Sequence, residues 1–338
     1  MHSFSVLLAS LLVSPLLANA FGHGNALTPA HKRHRNRAPS TYQKKRASYT
    51  LEDMYTGDSF VNDWSFFSEA DPTHGTVNYL AKDAAIQAGL AVTNNDGPST
   101  FSVDNSTWLG SGQGRNSVRI TSNKQYNGGL FIADFEKMPT GCSTWPAFWL
   151  VGPSWPNGGE IDIVEGVNVN TKNQYTLHTG DGCTLDATLR VSTGNVLGSN
   201  CVSSNGDNSG CAYTDPSENS YGAGFNDNHG GVYATVWDSE GISMYFFSRC
   251  DIPEDIDNET PDPSSWGSPV ATFPFTSCTA DHFSDMSMVL DTTLCGDWAG
   301  GATGSGDCPK SCNEYVMDPT NFATAAWEVN YIAVYQNN

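Results

Sequence analysis

Residues Gly158 to Asn168 read GGEIDIVEGVN, and three carboxylates, Glu160, Asp162 and Glu165, stand there among Ile161, Ile163 and Val164. Side chains alternate between the two faces of a β-strand, so Glu160 and Asp162 share a face while Glu165, an odd number of residues further on, points to the other. A β-bulge between Asp162 and Glu165, absorbing Ile163 or Val164 as an extra residue, restores parity and puts all three acids on one side. Three neighbouring carboxylates repel and burial makes each harder to ionise, so a purely structural strand has no reason to keep them. A solvated acidic face or a metal site are the alternatives to acid, base or nucleophile chemistry. The spacing fits neither a helix-borne zinc motif nor a calcium loop.

The surrounding chain favours an all-β domain. SVRITS (117–122), GLFIADF (129–135), VYATVWD (232–238), ISMYFFS (242–248) and WEVNYIAVY (327–335) have the alternation and the β-branched and aromatic content of strands, and VYATVWDSEGISMYFFS reads as a hairpin around Asp238 to Gly241. No stretch keeps a helical stripe for long. Many short strands between Gly, Asn, Asp and Pro clusters, with a strand at the C-terminal end, predict one β-sandwich over residues 47–338. The Gly- and Cys-rich stretches near 180–230 and 292–315 read as loops pinned by disulfides.

Two segments precede that domain. Residues 1–20 read as a secretory signal: Phe4 to Ala20 is apolar, ends in Ala18-Asn19-Ala20, and is too short and Pro15-broken for a membrane anchor. Residues 21–46 read as a basic propeptide ending in Lys44-Lys45-Arg46, a cluster suited to a processing protease. Seven of the 16 Lys and Arg lie at or before Arg46 and all 36 Asp and Glu after it, so the chain from Ala47 onward carries nine bases against 36 acids, a formal charge of −27. Such a body repels phosphate backbones and anionic lipid, which makes nucleic acid and membranes poor partners and a neutral ligand a better one. Nine cysteines behind a signal peptide imply disulfides and an extracellular destination, four bridges leaving one thiol over. Cys308 and Cys312 in CPKSC lack a second pair or a nearby histidine and read as disulfide partners rather than as a metal knuckle. Asn105 in NST and Asn258 in NET are glycosylation acceptors.

Tryptophans gather around the acidic strand: Trp145, Trp149 and Trp155 precede it, and Trp298 lies in CGDWAGG. Any one tryptophan is more often core than platform. The Gly and Pro surroundings of Trp155 and Trp298 favour exposed rings, on which the C–H faces of a neutral glycan stack. At TWPAFWLVGPSWPNGGEIDIVEGVN, YTLHTGDGCT, TLCGDWAGG and AAWEVNYIAVYQ the chain resembles glycoside hydrolase family 16, and within it the fungal secreted laminarinase-like endo-β-1,3(4)-glucanases. The bulged Glu-x-Asp-x-x-Glu marks that branch.

The resemblance implies a bent jelly-roll sandwich with an open concave cleft. It makes Glu160 the nucleophile, Glu165 the general acid/base and Asp162 the neighbour that orients Glu160. His178 matches a histidine near the reacting sugar, and Trp149, Trp155 and Trp298 match subsite walls. Cys250 is not where this group's cysteines are expected and is the candidate odd thiol. The implied activity is a secreted, monomeric, retaining endo-β-1,3(4)-glucanase on laminarin-like or mixed-linkage β-glucans, with no metal and no cofactor. A cell-wall transglycosylase and a β-glucan-binding lectin-like module are the rivals; the lectin has no use for the acids. The abrupt loss of positive charge after Arg46 predicts that amino-terminal sequencing of the secreted protein starts at Ala47; a start at Phe21 would remove the propeptide.

Overall fold

The computed structural model describes residues 49–188, 191–204 and 206–337. The expected signal peptide and propeptide lie outside the described residues. Two eight-stranded sheets make the body. One runs Asn195–Gly198, Cys211–Thr214, Gln174–His178, Glu160–Glu165, Thr144–Val151, Met286–Leu294, Arg119–Tyr126, Trp64–Phe66 from edge to edge, with every neighbouring pair antiparallel. The other runs Ala271–Pro274, Gly241–Ser248, Gly231–Asp238, Gly129–Lys137, Ala326–Asn337, Ser99–Ser102, Ala91–Val92, and Tyr49–Tyr55 also pairs with Ala326–Asn337. The five strands and the hairpin expected from periodicity are all present, Asp238 pairing with Gly241 at the hairpin's end.

The core lies between the sheets. Ile161, Ile163, Val164, Phe148, Leu150 and Leu177 of the acidic sheet pack in one cluster with Phe131, Phe135, Tyr233, Trp327 and Ile332 of the other. Phe135 sits edge-on to Phe148 across the layers, with its centroid 5.6 Å away, and 4.9 Å from Trp327 in its own sheet. Such ring pairs add about 0.5–1.5 kcal/mol each beyond area burial. The outer face of the second sheet is covered as well: Leu130, Ile132, Val232, Ala234 and Val236 pack with Ile256 and Tyr335 in a second cluster. Central strands of that sheet are therefore apolar on both faces, which is why GLFIADF reads as a nearly continuous hydrophobic run.

Disulfides join Cys142–Cys308, Cys183–Cys278, Cys201–Cys211 and Cys295–Cys312, and Cys250 is the free, exposed cysteine. Both halves of CPKSC are thus bridged, each to a distant partner. The stretches expected to be loops are pinned in this way, but they are not wholly irregular. The first holds the edge strand Asn195–Gly198, its neighbour Cys211–Thr214 and a helix at Gly222–Asp227, and the second holds helices at Gly296–Ala299 and Cys312–Met317. These elements span at most six residues, too few to display a period, and Asn195–Gly198 is mostly solvent-exposed, so it has no buried face to reveal it. Among the described residues no helix is long and apolar enough to cross a membrane.

Candidate active site

The acidic strand is bulged. Against Gln174–His178, Asp162 pairs with Thr176 and Glu165 with Gln174, three residues matching two. Against Thr144–Val151, Asp162 pairs with Trp149 and Val164 with Phe148, which leaves Ile163 as the extra residue on that side. Ile161, Ile163 and Val164 enter the core, and Glu160, Asp162 and Glu165 occupy the opposite face. A bulge leaves backbone groups without ladder partners. Here one side chain takes both: the Asn173 amide donates to the Ile163 carbonyl (2.8 Å) and accepts from the Glu165 N–H (3.0 Å). Asn173 is fully buried, and its own N–H donates to Ser220 Oγ (3.0 Å). At the strand's start Gly159 adopts φ +79° with the His282 carbonyl so near that a Cβ would collide with it, which explains the glycine before Glu160.

The three acids point away from the core yet are scarcely solvated. Asp162 is 2% exposed, Glu165 9%, and the Glu160 side chain 17%. Neighbouring side chains wall them in, so the face is a cleft. The Trp145 indole N–H donates to Glu165 Oε1 (3.0 Å), and the Trp298 ring stands edge-on to Trp145 with centroids 5.7 Å apart. Trp155, 45% exposed, sends a hydrogen bond to Glu160. His178 lies directly across from Glu160 in the ladder, its Nε2 3.4 Å from Asp162 Oδ2 and 3.8 Å from Glu160 Oε1, while its Nδ1 meets Ser203 Oγ at 3.0 Å. Glu160, Asp162 and His178 are also the residues, among those described, that could hold a metal ion.

Sequence reasoning missed a fourth carboxylate. Asp291, on the strand beyond Thr144–Val151 and level with Ala147, accepts from the Trp149 indole N–H (3.3 Å) and the Tyr79 hydroxyl (3.3 Å), and Arg119 Nη1 is 3.7 Å from it. The Arg119 guanidinium is held between the rings of Phe67 (4.7 Å) and Trp149 (5.0 Å). One face of Trp149 is therefore taken by a cation, and what it offers a ligand is confined to its other side. The signal in the sequence was a lone acid inside MSMVLDTTL, weaker than the triple break of EIDIVE.

Crowding and burial set the charge. Burial first, then Asp162, push Glu160 up to about 8, against the pull of His178 and the Trp155 hydrogen bond. Burial pushes Asp162 up to about 8, with Asp291 adding to it, and burial followed by Asp162 does the same to Glu165. Asp291, also raised by burial, stays lower at about 6 because Arg119 opposes the shift. Near neutral pH the row cannot be fully ionised, and its protons belong to the cluster rather than to single residues.

Comparisons with known proteins agree on one family. A family model described as an XgeA-like, catalytic GH16 domain matches residues 64–335. The chain is similar to a probable glycosidase of Schizosaccharomyces pombe, 46% identical over 307 residues that cover 89% of this chain and 72% of that protein. It is similar to an endo-1,3(4)-beta-glucanase of Emericella nidulans, 40% identical over 301 residues, 86% of this chain but only 48% of that protein, so it spans about half of this second relative. Among solved structures it is similar to the GH16 Laminarinase 16A from Phanerochaete chrysosporium, which carries 6-O-glucosyl-laminaritriose in both donor and acceptor sites, with a TM-score of 0.82 and 41% identity over 85% of this chain and 99% of that one. It is also similar to an elongating GH family 16 beta-1,3-glucosyltransferase, with a TM-score of 0.80 and 38% identity over 85% of this chain and 100% of that one.

Two stability predictions come from this geometry. Asn173→Ala leaves the Ile163 carbonyl and the Glu165 N–H unpaired in the interior at about 1–3 kcal/mol each, so the melting temperature should fall by about 5–10 °C; an unchanged melt would mean that the bulge does not depend on Asn173. Glu165→Gln keeps an acceptor for Trp145 but removes the ionisation. Below about pH 4 the carboxyl is protonated folded or unfolded, so wild type and variant should melt close together. As pH rises towards 8 the unfolded carboxyl ionises freely while the folded one, held up to about 8, does not, so wild type loses stability that the variant keeps. The two melting temperatures should separate by several degrees at pH 8, and curves that stay parallel would contradict the raised carboxyl.

Proposed function

Because the chain belongs to glycoside hydrolase family 16, within its XgeA-like group, we propose that it is a secreted, retaining endo-β-1,3(4)-glucanase acting on laminarin-like β-1,3-glucans. The observation that carries this reading is the bulge, which turns Glu160, Asp162 and Glu165 onto one walled face. Retaining hydrolysis uses two carboxyl groups about 5–5.5 Å apart, one to attack and one to move the proton. Glu160 is the nucleophile. It is the most exposed of the three, and His178 and Trp155 favour its charged form. Glu165 is the acid/base, held protonated by burial and oriented by Trp145. Asp162 lies between them and orients Glu160.

In the first half-reaction a Glu160 oxygen bonds to the anomeric carbon while the glycosidic oxygen leaves with the Glu165 proton. The ester that forms carries no charge, so Glu165 loses a repelling neighbour that was helping it keep its proton, and its pKa falls. It then accepts a proton from water as the water oxygen attacks the anomeric carbon and the Glu160 carboxylate departs. Nothing in this sequence calls for a metal or an organic cofactor.

Trp155 and Trp298 are the sugar platforms of this reading, with the free side of Trp149 and His178 nearer the reacting ring. Asn105 and Asn258 are exposed, as glycan acceptors must be, and four disulfides suit an extracellular enzyme working as a monomer. A second reading, transfer of the glycosyl group to another sugar, is favoured by the likeness to the beta-1,3-glucosyltransferase. Incubation with laminarin separates them: hydrolysis yields new reducing ends, transfer yields lengthened chains. Glu160→Ser should lower turnover by about 1,000-fold or more while titration calorimetry still detects laminarin oligosaccharides, because stacking does not use the nucleophile. Turnover close to wild type would take Glu160 out of the role.

A further inference from the structure

Besides the roles in glycan chemistry given to them above, Glu160, Asp162 and His178 have the arrangement of a metal-ligand set. Their nearest ligand atoms, Glu160 Oε1, Asp162 Oδ2 and His178 Nε2, all lie within 4.8 Å of one another. Two donors bound tetrahedrally to one zinc ion at about 2.0–2.2 Å stand roughly 3.4 Å apart, the separation already present between His178 and Asp162. The His178–Glu160 separation is 3.8 Å, and Glu160 is the member with room to swing inward.

Asp162 Oδ2 supplies an independent observation. It is a carboxylate oxygen in a residue 2% exposed, it has no hydrogen-bond partner among the described residues, and it lies 3.4 Å from His178 Nε2. Buried carboxylate oxygens are ordinarily satisfied, because leaving one bare forfeits its hydration without return. His178 is prepared in turn: Ser203 Oγ can accept from Nδ1–H, which leaves the Nε2 lone pair aimed at the two acids, the arrangement that orients a metal-binding imidazole.

We propose that Glu160, Asp162 and His178 form a binding site for a single divalent transition-metal ion, zinc foremost, and that ion and glucan exclude one another. Two carboxylates and a neutral imidazole balance the charge of the ion, and the fourth position opens on the cleft through Glu160. Calcium and magnesium want about six or more oxygens, and three donors that include an imidazole suit them poorly. The exclusion rests on the functional reading above: a Glu160 carboxylate coordinated to zinc gives its negative charge to the ion and is a poor nucleophile, so the bound ion switches the enzyme off until a chelator removes it.

The test is calorimetric titration of the full secreted protein with ZnCl2, which needs no turnover. One ion should bind per chain, unchanged by CaCl2 or MgCl2. Affinity should fall about 100-fold in His178→Gln and about 10-fold in Ser203→Ala, and stay at the wild-type value in Cys250→Ser. Saturating laminarin oligosaccharide should weaken zinc binding to the wild type. Wild-type affinity in both His178→Gln and Ser203→Ala, loss of binding in Cys250→Ser, or indifference to bound oligosaccharide overturns the site. If His178→Gln does not fold, the Ser203→Ala arm and the oligosaccharide competition decide by themselves. Zinc binding as described in a protein that leaves laminarin intact would sink the glucanase reading and keep the metal site.

Discussion

The pair of hydrogen bonds from one buried amide, Asn173, to the Ile163 carbonyl and the Glu165 N–H holds the local geometry on which everything else depends. Without the extra residue it stabilises, Glu165 would sit among Phe148, Leu150 and Leu177 in the core, and an apolar neighbour would take its place in the cleft. The bulge lets one six-residue strand satisfy both sides of its sheet: Ile161, Ile163 and Val164 complete the sandwich interior while three acids line the opposite face. Fold and site are therefore not separable here. A one-residue error in the register of Glu160–Glu165 would damage the core and the chemistry together.

Having gathered the acids, the molecule has to tolerate them. Burial and mutual repulsion push Glu160, Asp162 and Glu165 up to about 8, and Asp291 brings a further acidic group from the strand beyond Thr144–Val151. Relief comes from outside the row. Trp145 donates to Glu165, His178 flanks Glu160 and Asp162, and Arg119, stacked between Phe67 and Trp149, opposes the charge of Asp291. Aromatic residues around the cleft thus serve the electrostatics as well as any sugar. Trp145 and Trp149 both spend their indole N–H groups on carboxylates. In the mechanism proposed above, the stability given up to this crowding is the reserve from which a proton is released once Glu160 is esterified.

What the sequence disclosed, and what it hid, follows from the range of each interaction. The broken parity of EIDIVE is local, so the bulge and the shared face of its acids could be read directly, as could the hairpin at Asp238 and the long strands of the second sheet. Which residue was extra could not be read, because Ile163 and Val164 are both apolar and only the pairing with Thr144–Val151 tells them apart. Asn173 was invisible for a different reason: in NVNTKNQYTL it looks like any polar loop residue, and its partners are set by the ladder rather than by spacing. Asp291 and Arg119 reach the site from two and three strands over, 126 and 46 positions away from Glu165 in sequence, a distance no local pattern spans. Disulfide pairing was equally closed to inspection, although the odd cysteine, Cys250, could be named in advance.

The central claim is that Glu160, on the face that the bulge makes Glu165 share, forms a bond to the sugar. A laminaribiosyl fluoride bearing fluorine in place of the 2-hydroxyl, with a leaving group that needs no protonation, should load the enzyme faster than the ester is hydrolysed. Mass spectrometry of a digest should then find one added disaccharide per chain, on the peptide that contains EIDIVE and at Glu160. An adduct at Glu165 would reverse the assignment of the two glutamates. No adduct under conditions where laminarin is turned over would contradict the covalent mechanism itself.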